Sequence, residues 1–432
     1  MTDSRAPILV LTRWRPDKPN SGVSLRNCQN IKALTQLGPV DIVTIGPEPK
    51  AEPVAGIREW VAFHNKQLLD ERSWLTRLRG QLWRIGLAPH PTVNNYKHPR
   101  VAAWLRERLR SHDYRCVVVE ELALAAYIPL LAEHCTVVFD EHNVEAKLGA
   151  DIKTAQNDDS ELSPLRRLSR RLWTHMLRRE EAKAVRRADL TWACSATDAE
   201  TLKAAYRSGK PIVVVPNTVD TASYRRPTAV ASAADWRESP LTIVFPGTFS
   251  YFPNEDAALR LIREVFPLVK ARHPGSRLVL LGREPTAAMK EAAAGAADIE
   301  ITGAVDSVLP YFDQPCVVAL PIHVGSGTRL KILEAFALDR PVVSTRKGAE
   351  GIGARDGQEI LLRESPSDIA EAVLMLWTDT RLRAELCARA SELVDAEYSS
   401  KAALARIRNS LELAAGANPP GATTEARLRT TL

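Results

Sequence analysis

No stretch of the 432 residues approaches the ~20 consecutive apolar residues that a bilayer-spanning helix requires. The longest candidate, Leu122–Ala132, is short and bounded by Glu121 and Glu133. The opening MTDSRAPILVLT lacks a basic segment followed by a long apolar run and a cleavage site, which sets the expectation of a cytoplasmic protein. Cysteine is sparse: six residues, none in a C-x-x-C pair. Cys116 and Cys316 begin apolar runs, where buried thiols are at home, so a reduced chain is expected. No aspartate cluster suits magnesium or manganese, and the sequence assigns no metal. No nucleic-acid-binding module is recognisable, so nucleic acid is not an expected partner.

What is present is an ordinary globular composition, 45% hydrophobic and 25% charged, with length for two or three domains. The formal net charge is +6, and it is concentrated. Ser163–Arg187 holds nine Lys/Arg against Glu180 and Glu181, an excess of seven. Leu165, Leu168, Leu172 and Met176 recur there at helical spacing, which predicts a basic amphipathic helix. Lys66–Ile85 repeats the theme, with Trp74, Leu75, Leu78, Leu82 and Trp83 among Arg72, Arg77, Arg79 and Arg84. Such helices suit an anionic membrane surface; the alternative is a solvated arginine face over a core-packed stripe.

Strand and helix patterns alternate along the chain. Pro7–Thr12, Val40–Ile45, Ile57–Phe63, Arg115–Glu120, Thr136–Asp140, Leu190–Cys194 and Ile212–Val215 read as strands. Runs such as CVVVE and TVVFD are continuously apolar, as a parallel sheet covered on both faces demands. A seam at Pro216–Asp220 and the Ala/Ser/Pro-rich stretch Arg225–Pro240 precede a second series: Leu241–Pro246, Arg277–Leu281, Asp298–Thr302, Cys316–Leu320 and Pro341–Thr345. One long helix, Asn254–Arg272, is expected within it. The pattern predicts two doubly wound α/β domains, residues 1–216 and 217–396, with 397–432 forming a last helix and a loose tail. In such sheets ligands bind beyond the carboxyl ends of the strands.

The chemistry-bearing residues fall in those loops. The run VGSGTRLKILEAFALDRPVVST, Val324–Thr345, places the turn Gly325-Ser326-Gly327-Thr328 before a helix. Glycines admit close backbone approach, and a helix amino end attracts anions. Arg329 and Lys331 add two cations, and Glu334 offers a carboxylate that can accept from hydroxyl groups. A diphosphate joined to a sugar or ribose needs such a set; the bland alternative is a surface Lys331–Glu334 salt bridge. Asn20-Ser21-Gly22 begins a helix after the first strand, a second anion-friendly turn. His142 follows Thr136–Asp140, where acid–base or recognition groups are often placed, with Asp140 and Glu141 near enough to orient its ring; the alternative is a capping or structural histidine. Gly247 and Arg283 follow later strands, and Pro253 and Asn254 read as helix-start residues.

Taken together, the chain resembles the retaining glycosyltransferases of the GT-B fold, family 4 type, from Pro7 to Leu413. The segments carrying the resemblance are VFPGTFSYFPNEDA, ITGAV, GSGTRLKILEAFA, FDEHNVEAKL and PNTVD. The resemblance implies two Rossmann-like domains facing across a cleft, with the final helix returning to the first. It implies donor contacts at Gly22, Gly247, Arg283, Val305 and Gly325–Thr328, a ribose contact at Glu334, and a donor-facing His142. Arg329, Lys331 and His142 become the catalytic candidates. Two departures stand out. Ser326 occupies the first acidic position of the family's E-x(7)-E element, and Thr248-Phe249-Ser250 follow Gly247 where relatives carry an Arg and a Lys. Arg329 and Lys331 are therefore expected to supply that charge. The implied activity is metal-independent hexosyl transfer without a cofactor, from a nucleoside diphosphate sugar, UDP-sugar favoured, to a sugar, glycolipid or polysaccharide acceptor at the inner face of the membrane. A GT-B nucleotide-sugar epimerase and a catalytically inactive binding protein remain open at this point.

Overall fold

The computed structural model describes residues 6–17, 22–46, 55–74, 82–83, 88–156, 163–224, 233–325 and 327–417. The chain divides into two compact units, Met1–Asn217 with Ala403–Leu432, and Thr218–Ala402.

The first unit is built on seven parallel strands: β1 (Ile8–Thr12), β2 (Val40–Gly46), β3 (Ile57–His64), β4 (Cys116–Glu120), β5 (Val137–Glu141), β6 (Leu190–Ala193) and β7 (Ile212–Val214). Their spatial order is β3-β2-β1-β4-β5-β6-β7, so the sheet grows outward from β1 in both directions. Because successive side chains alternate faces, β1 feeds two cores. Ile8 and Val10 pack with Ile31, Leu34 and Trp192, and Leu9 and Leu11 pack with Val43, Val119 and Phe139. The chain end contributes to the former: helix Ser400–Ala417 sets Ile407, Leu411 and Ala414 among these residues. Trp192 Nε1 donates to Ser410 Oγ at 2.9 Å, which satisfies an indole N–H that is otherwise buried.

The second unit repeats the plan with six strands: β8 (Thr242–Pro246), β9 (Arg277–Leu281), β10 (Ile299–Gly303), β11 (Val317–Leu320), β12 (Val342–Ser344) and β13 (Leu361–Leu362). Their order is β10-β9-β8-β11-β12-β13. Both sheets are all-parallel, and their central strands are buried, as their uninterrupted apolar runs require, while the edge strands β3 and β10 are partly exposed.

Four differences from the sequence reading have physical causes. The expected single helix Asn254–Arg272 is Phe252–Arg260 and Phe266–Arg272 joined by a π turn at Leu261–Val265. Pro267 has no N–H to continue the ladder, and the Phe266 amide reaches back to the Leu261 carbonyl. β13, two residues long, is too short to leave a periodic signal. In the Lys66–Ile85 stretch only Asn65–Asp70 forms a regular helix among the described residues; Leu75, Arg77, Leu78, Arg79 and Arg84 lie outside them. Trp74 is 71% exposed, whereas Trp83 is buried edge-on against His90 and Trp173, so the two tryptophans do not share one face. Finally, the basic helix Pro164–Arg187 changes character along its length. Met176 and Leu177 are buried, while Leu168 and Leu172 stand exposed beside arginines.

Since Ile407 is fully buried against the β1 face, Ile407→Ala is expected to destabilise the first unit by about 2–4 kcal/mol. Urea unfolding followed by hydrogen exchange should show loss of protection in β1 and β6 while β8 and β11 keep theirs.

Candidate functional site

In the second unit the loops after β8, β9 and β11 carry a compact polar group. The signature helix starts later than its sequence suggests, at Leu330, and runs to Ala337 with Arg329 at its amino cap. Two of its early amides are already engaged: Leu330 N–H donates to the Thr328 carbonyl and Ile332 N–H to that of Arg329. These two first-turn N–H groups are therefore not free, which corrects the expected anion-friendly helix start at Leu330 and Ile332. Gly325 has φ +119° and Gly327 φ +78°, conformations that favour glycine. A Cβ on Gly325 would stand 2.7 Å from Arg329 Nη2, so the guanidinium lies directly against that turn. Thr328 and Arg329 are buried, and Ser326 lies outside the described residues.

Lys331 reaches across to β8. Its Nζ donates to Asn254 Oδ1 at 2.7 Å and sits 4.7 Å from the centre of the Phe245 ring. A Cβ on Gly247 would lie 3.3 Å from the same Nζ, so the ammonium occupies the space a side chain would take. Burial first, then the neighbouring Arg329 charge, pull Lys331 down to about 7, with Glu334 acting in the opposite sense. The surface Lys331–Glu334 salt bridge does not form among the described residues. Instead Tyr224 OH donates to Glu334 Oε1 at 3.0 Å, and burial raises the Glu334 carboxyl although Tyr224 and Lys331 oppose it. Asn254, read from sequence as a helix-start residue, leaves capping to Tyr251 and turns its amide to Thr248 and Lys331. Arg283 joins the group through Thr248, its Nε lying 3.3 Å from Oγ1. Val305 packs, partly buried, against the hydrophobic core of this unit.

In the first unit Gly22 is exposed at the start of helix Gly22–Thr35; Asn20 and Ser21 lie outside the described residues. His142 is buried at the end of β5, in a network of which sequence revealed only part. β4 and β5 pair Glu120 with Asp140, placing two carboxylates side by side. His142 Nε2 lies 2.9 Å from Glu120 Oε2 and 3.0 Å from Asp140 Oδ2. Arg26 Nε donates to Asp140 Oδ2 at 2.9 Å, and Asn30 Nδ2 donates to the same oxygen at 2.7 Å. Arg26 also reaches the Val215 carbonyl and Asn217 Oδ1. Glu141, expected as an orienting partner, is not one: alternation along β5 sends it to the opposite face, where burial and the Glu181 charge raise its carboxyl well above the usual range. Glu120 takes its place.

The electrostatics follow from this packing. Burial works against charging His142, but Asp140 and then Glu120 overcome it and lift the imidazole to about 10. Burial and the Asp140 charge push Glu120 up to about 7. Against burial, Arg26 foremost and His142 next hold Asp140 well below the carboxylate range. Glu120, Asp140 and His142 bring ligand-type atoms within 4.8 Å of one another, but Arg26 already neutralises Asp140 and would repel an added cation. The donor set fits a protonated histidine better than a metal ion. Among the described residues His142 Nδ1 has no hydrogen-bond partner, and Glu121 Oε1 is 4.0 Å away. Glu121 itself has φ +73° and binds Arg13 Nε at 2.9 Å and Trp14 Nε1 at 2.6 Å. A strained residue anchoring the loop after β1 is a feature of functional loops that no sequence pattern announced.

A histidine raised from 6.5 to about 10 binds its proton in the folded state while the unfolded chain has lost it. Its contribution is complete below pH 6.5 and disappears as pH rises toward 10, at about 1.4 kcal/mol per unit. Because Glu120 is itself raised and in contact with the ring, comparing urea unfolding of Glu120→Gln with Glu120→Gln/His142→Gln across pH 6–10 isolates this effect: the double variant's stability should lack that decline.

The sequence matches the family described as Glycosyltransferase Family 4 over residues 21–223 and the family described as Glycosyl transferases group 1 over residues 240–379. A sucrose-phosphate synthase from Thermosynechococcus elongatus shares the fold with TM-score 0.69 at 16% identity, covering 96% of this chain and 100% of that one. HepE from Anabaena, in complex with UDP and glucose, aligns with TM-score 0.61 at 13% identity, covering 95% and 100% of the two chains. A curated relative, an uncharacterised 44.6 kDa protein in a cps region of Klebsiella pneumoniae, is 24% identical over 172 residues. That match takes in 38% of this chain and spans less than half, 44%, of the relative's length. With family matches in both units and the two-sheet architecture shared along whole chains, this chain belongs to the GT-B glycosyltransferases of the family 4 type.

Proposed function

We propose that the chain is a retaining glycosyltransferase that moves a hexosyl group from a nucleoside diphosphate sugar to an acceptor hydroxyl. The observation that carries this reading is the pairing of Arg329 and Lys331 beside the Gly325 and Gly247 turns. The Arg329 charge disfavours protonation of Lys331, and a dianionic diphosphate relieves that conflict. As the bond to the sugar breaks, the leaving diphosphate gains negative charge, so fixed cations bind the transition state more strongly than the ground state. Protein cations then perform the neutralising role that a metal ion has elsewhere, and the reaction is read as metal-independent.

Glu334, held by Tyr224, is suited to receive ribose hydroxyls. His142 offers Nδ1 to an oxygen of the transferred sugar, with Nε2 fixed by Glu120 and Asp140. Arg283 and Gly247 complete the diphosphate side. UDP-sugar is the favoured donor, a choice supported by the UDP bound in HepE. Polysaccharide or glycolipid acceptors are supported by the cps-region relative. Leu168 and Leu172, exposed among the arginines of Pro164–Arg187, support docking on an anionic membrane at its inner face. No helix among the described residues is long and apolar enough to cross a membrane.

The first experiment is a screen of nucleotide sugars for protection against thermal unfolding, followed by transfer assays with the stabilising donor. Arg329→Ala and Lys331→Ala should each lower turnover by about 10²-fold or more, as removal of one preorganised charge does elsewhere. Unchanged turnover in both removes these residues from the reaction. Product with inverted anomeric configuration overturns the retaining assignment, and isomerised donor formed without acceptor identifies an epimerase.

A further inference from the structure

We propose that Asn254 is a positioning residue: its carboxamide aims the Lys331 ammonium at the Gly247 turn and thereby sets the strength of diphosphate recognition. The inference rests on the nucleotide-sugar reading above and adds a residue that reading did not contain.

Asn254 stands in the first turn of helix Phe252–Arg260 and is buried. Its backbone amide donates to the Tyr251 carbonyl, so the helix start is satisfied without its side chain. That side chain is instead stretched between two elements. Nδ2 donates to the Thr248 carbonyl at 2.8 Å, in the loop that follows β8, and Oδ1 accepts from Lys331 Nζ at 2.7 Å on the signature helix. A Cβ on Gly247 would meet Asn254 Cγ and Nδ2 at 3.2 Å and Lys331 Nζ at 3.3 Å, so turn, amide and ammonium touch. The Phe245 ring closes the other side of the ammonium.

The chemistry of the bridge explains why a carboxamide is the group used. It donates at one end and accepts at the other, so one side chain locks both the backbone of the turn and a lysine with four rotatable bonds. Because the acceptor is neutral, it does not offset the positive charge the ammonium presents to an incoming anion; a carboxylate there would offset it and repel phosphate. Alanine would leave the ammonium in place chemically but without an aim.

A double-mutant cycle tests this, with calorimetric binding of UDP and of inorganic pyrophosphate as readouts. Asn254→Ala in the wild-type background should weaken UDP binding about tenfold, the loss of one charge-assisted hydrogen bond. In the Lys331→Ala background the same change should cost less than about twofold, because the residue acts through the lysine. Pyrophosphate should follow the same pattern, since the effect concerns phosphate and not the base. An equal loss in both backgrounds would reveal a merely structural role and overturn the inference while leaving the nucleotide-sugar reading intact. Wild-type affinity in Lys331→Ala would remove the lysine from recognition and overturn both. If Asn254→Ala does not fold, Asn254→Ser, too short to span from Thr248 to Lys331, is carried through the same cycle with the same criteria.

Discussion

A lysine ammonium held beside a guanidinium, with a neutral amide as its direct hydrogen-bond partner, is an unfavourable arrangement in a protein without a ligand. Burial and the Arg329 charge both act against protonation of Lys331, and the Glu334 charge opposes them only in part. Glycine at positions 247 and 325 makes room for the two cationic heads, and the Phe245 face supports one of them. Glu334 is drawn toward Tyr224, which keeps it from forming the easy ion pair along the helix. Such a group concentrates positive charge in a buried place, and that concentration is the basis of the proposed diphosphate contact.

The first unit solves the opposite problem. There the surplus is negative: two carboxylates on adjacent strands are forced together by parallel pairing. Arg26 and a protonated His142 balance them, with Asn30 filling the remaining acceptor. Removing one partner from such a buried set exposes an uncompensated charge, so the network fixes the imidazole's orientation as well as its protonation. The outcome is one ring nitrogen tied down, while the other has no hydrogen-bond partner among the described residues.

Sequence disclosed the strands because parallel, doubly covered strands are continuous apolar runs, and it disclosed the Gly325–Lys331 turn because glycines and cations cluster there. It was poorer at partners. Lys331 and Glu334 are correctly spaced to pair on a helix, yet Tyr224, far upstream in the chain, captures the carboxylate. Asn254 carries the residue type of a helix start, and only the folded position of Lys331 shows its other use. Asp140 was legible as an orienting group for His142, but Glu141 was mistaken for one because adjacency in sequence means opposite faces in a strand. Glu120 came from another strand altogether, a relation set by sheet order rather than by any local pattern.

The return of Ser400–Ala417 to the core beside β1 has a consequence for biosynthesis. A polypeptide emerging from the ribosome amino end first cannot complete the opening unit until residues 403–417 have been made. Residues 218–402 have all their own parts earlier, so the unit encoded second is the first able to mature. Until the last turns emerge, Ile8, Val10 and Trp192 lack part of their cover, and nascent chains stalled before residue 403 should be the ones that engage chaperones.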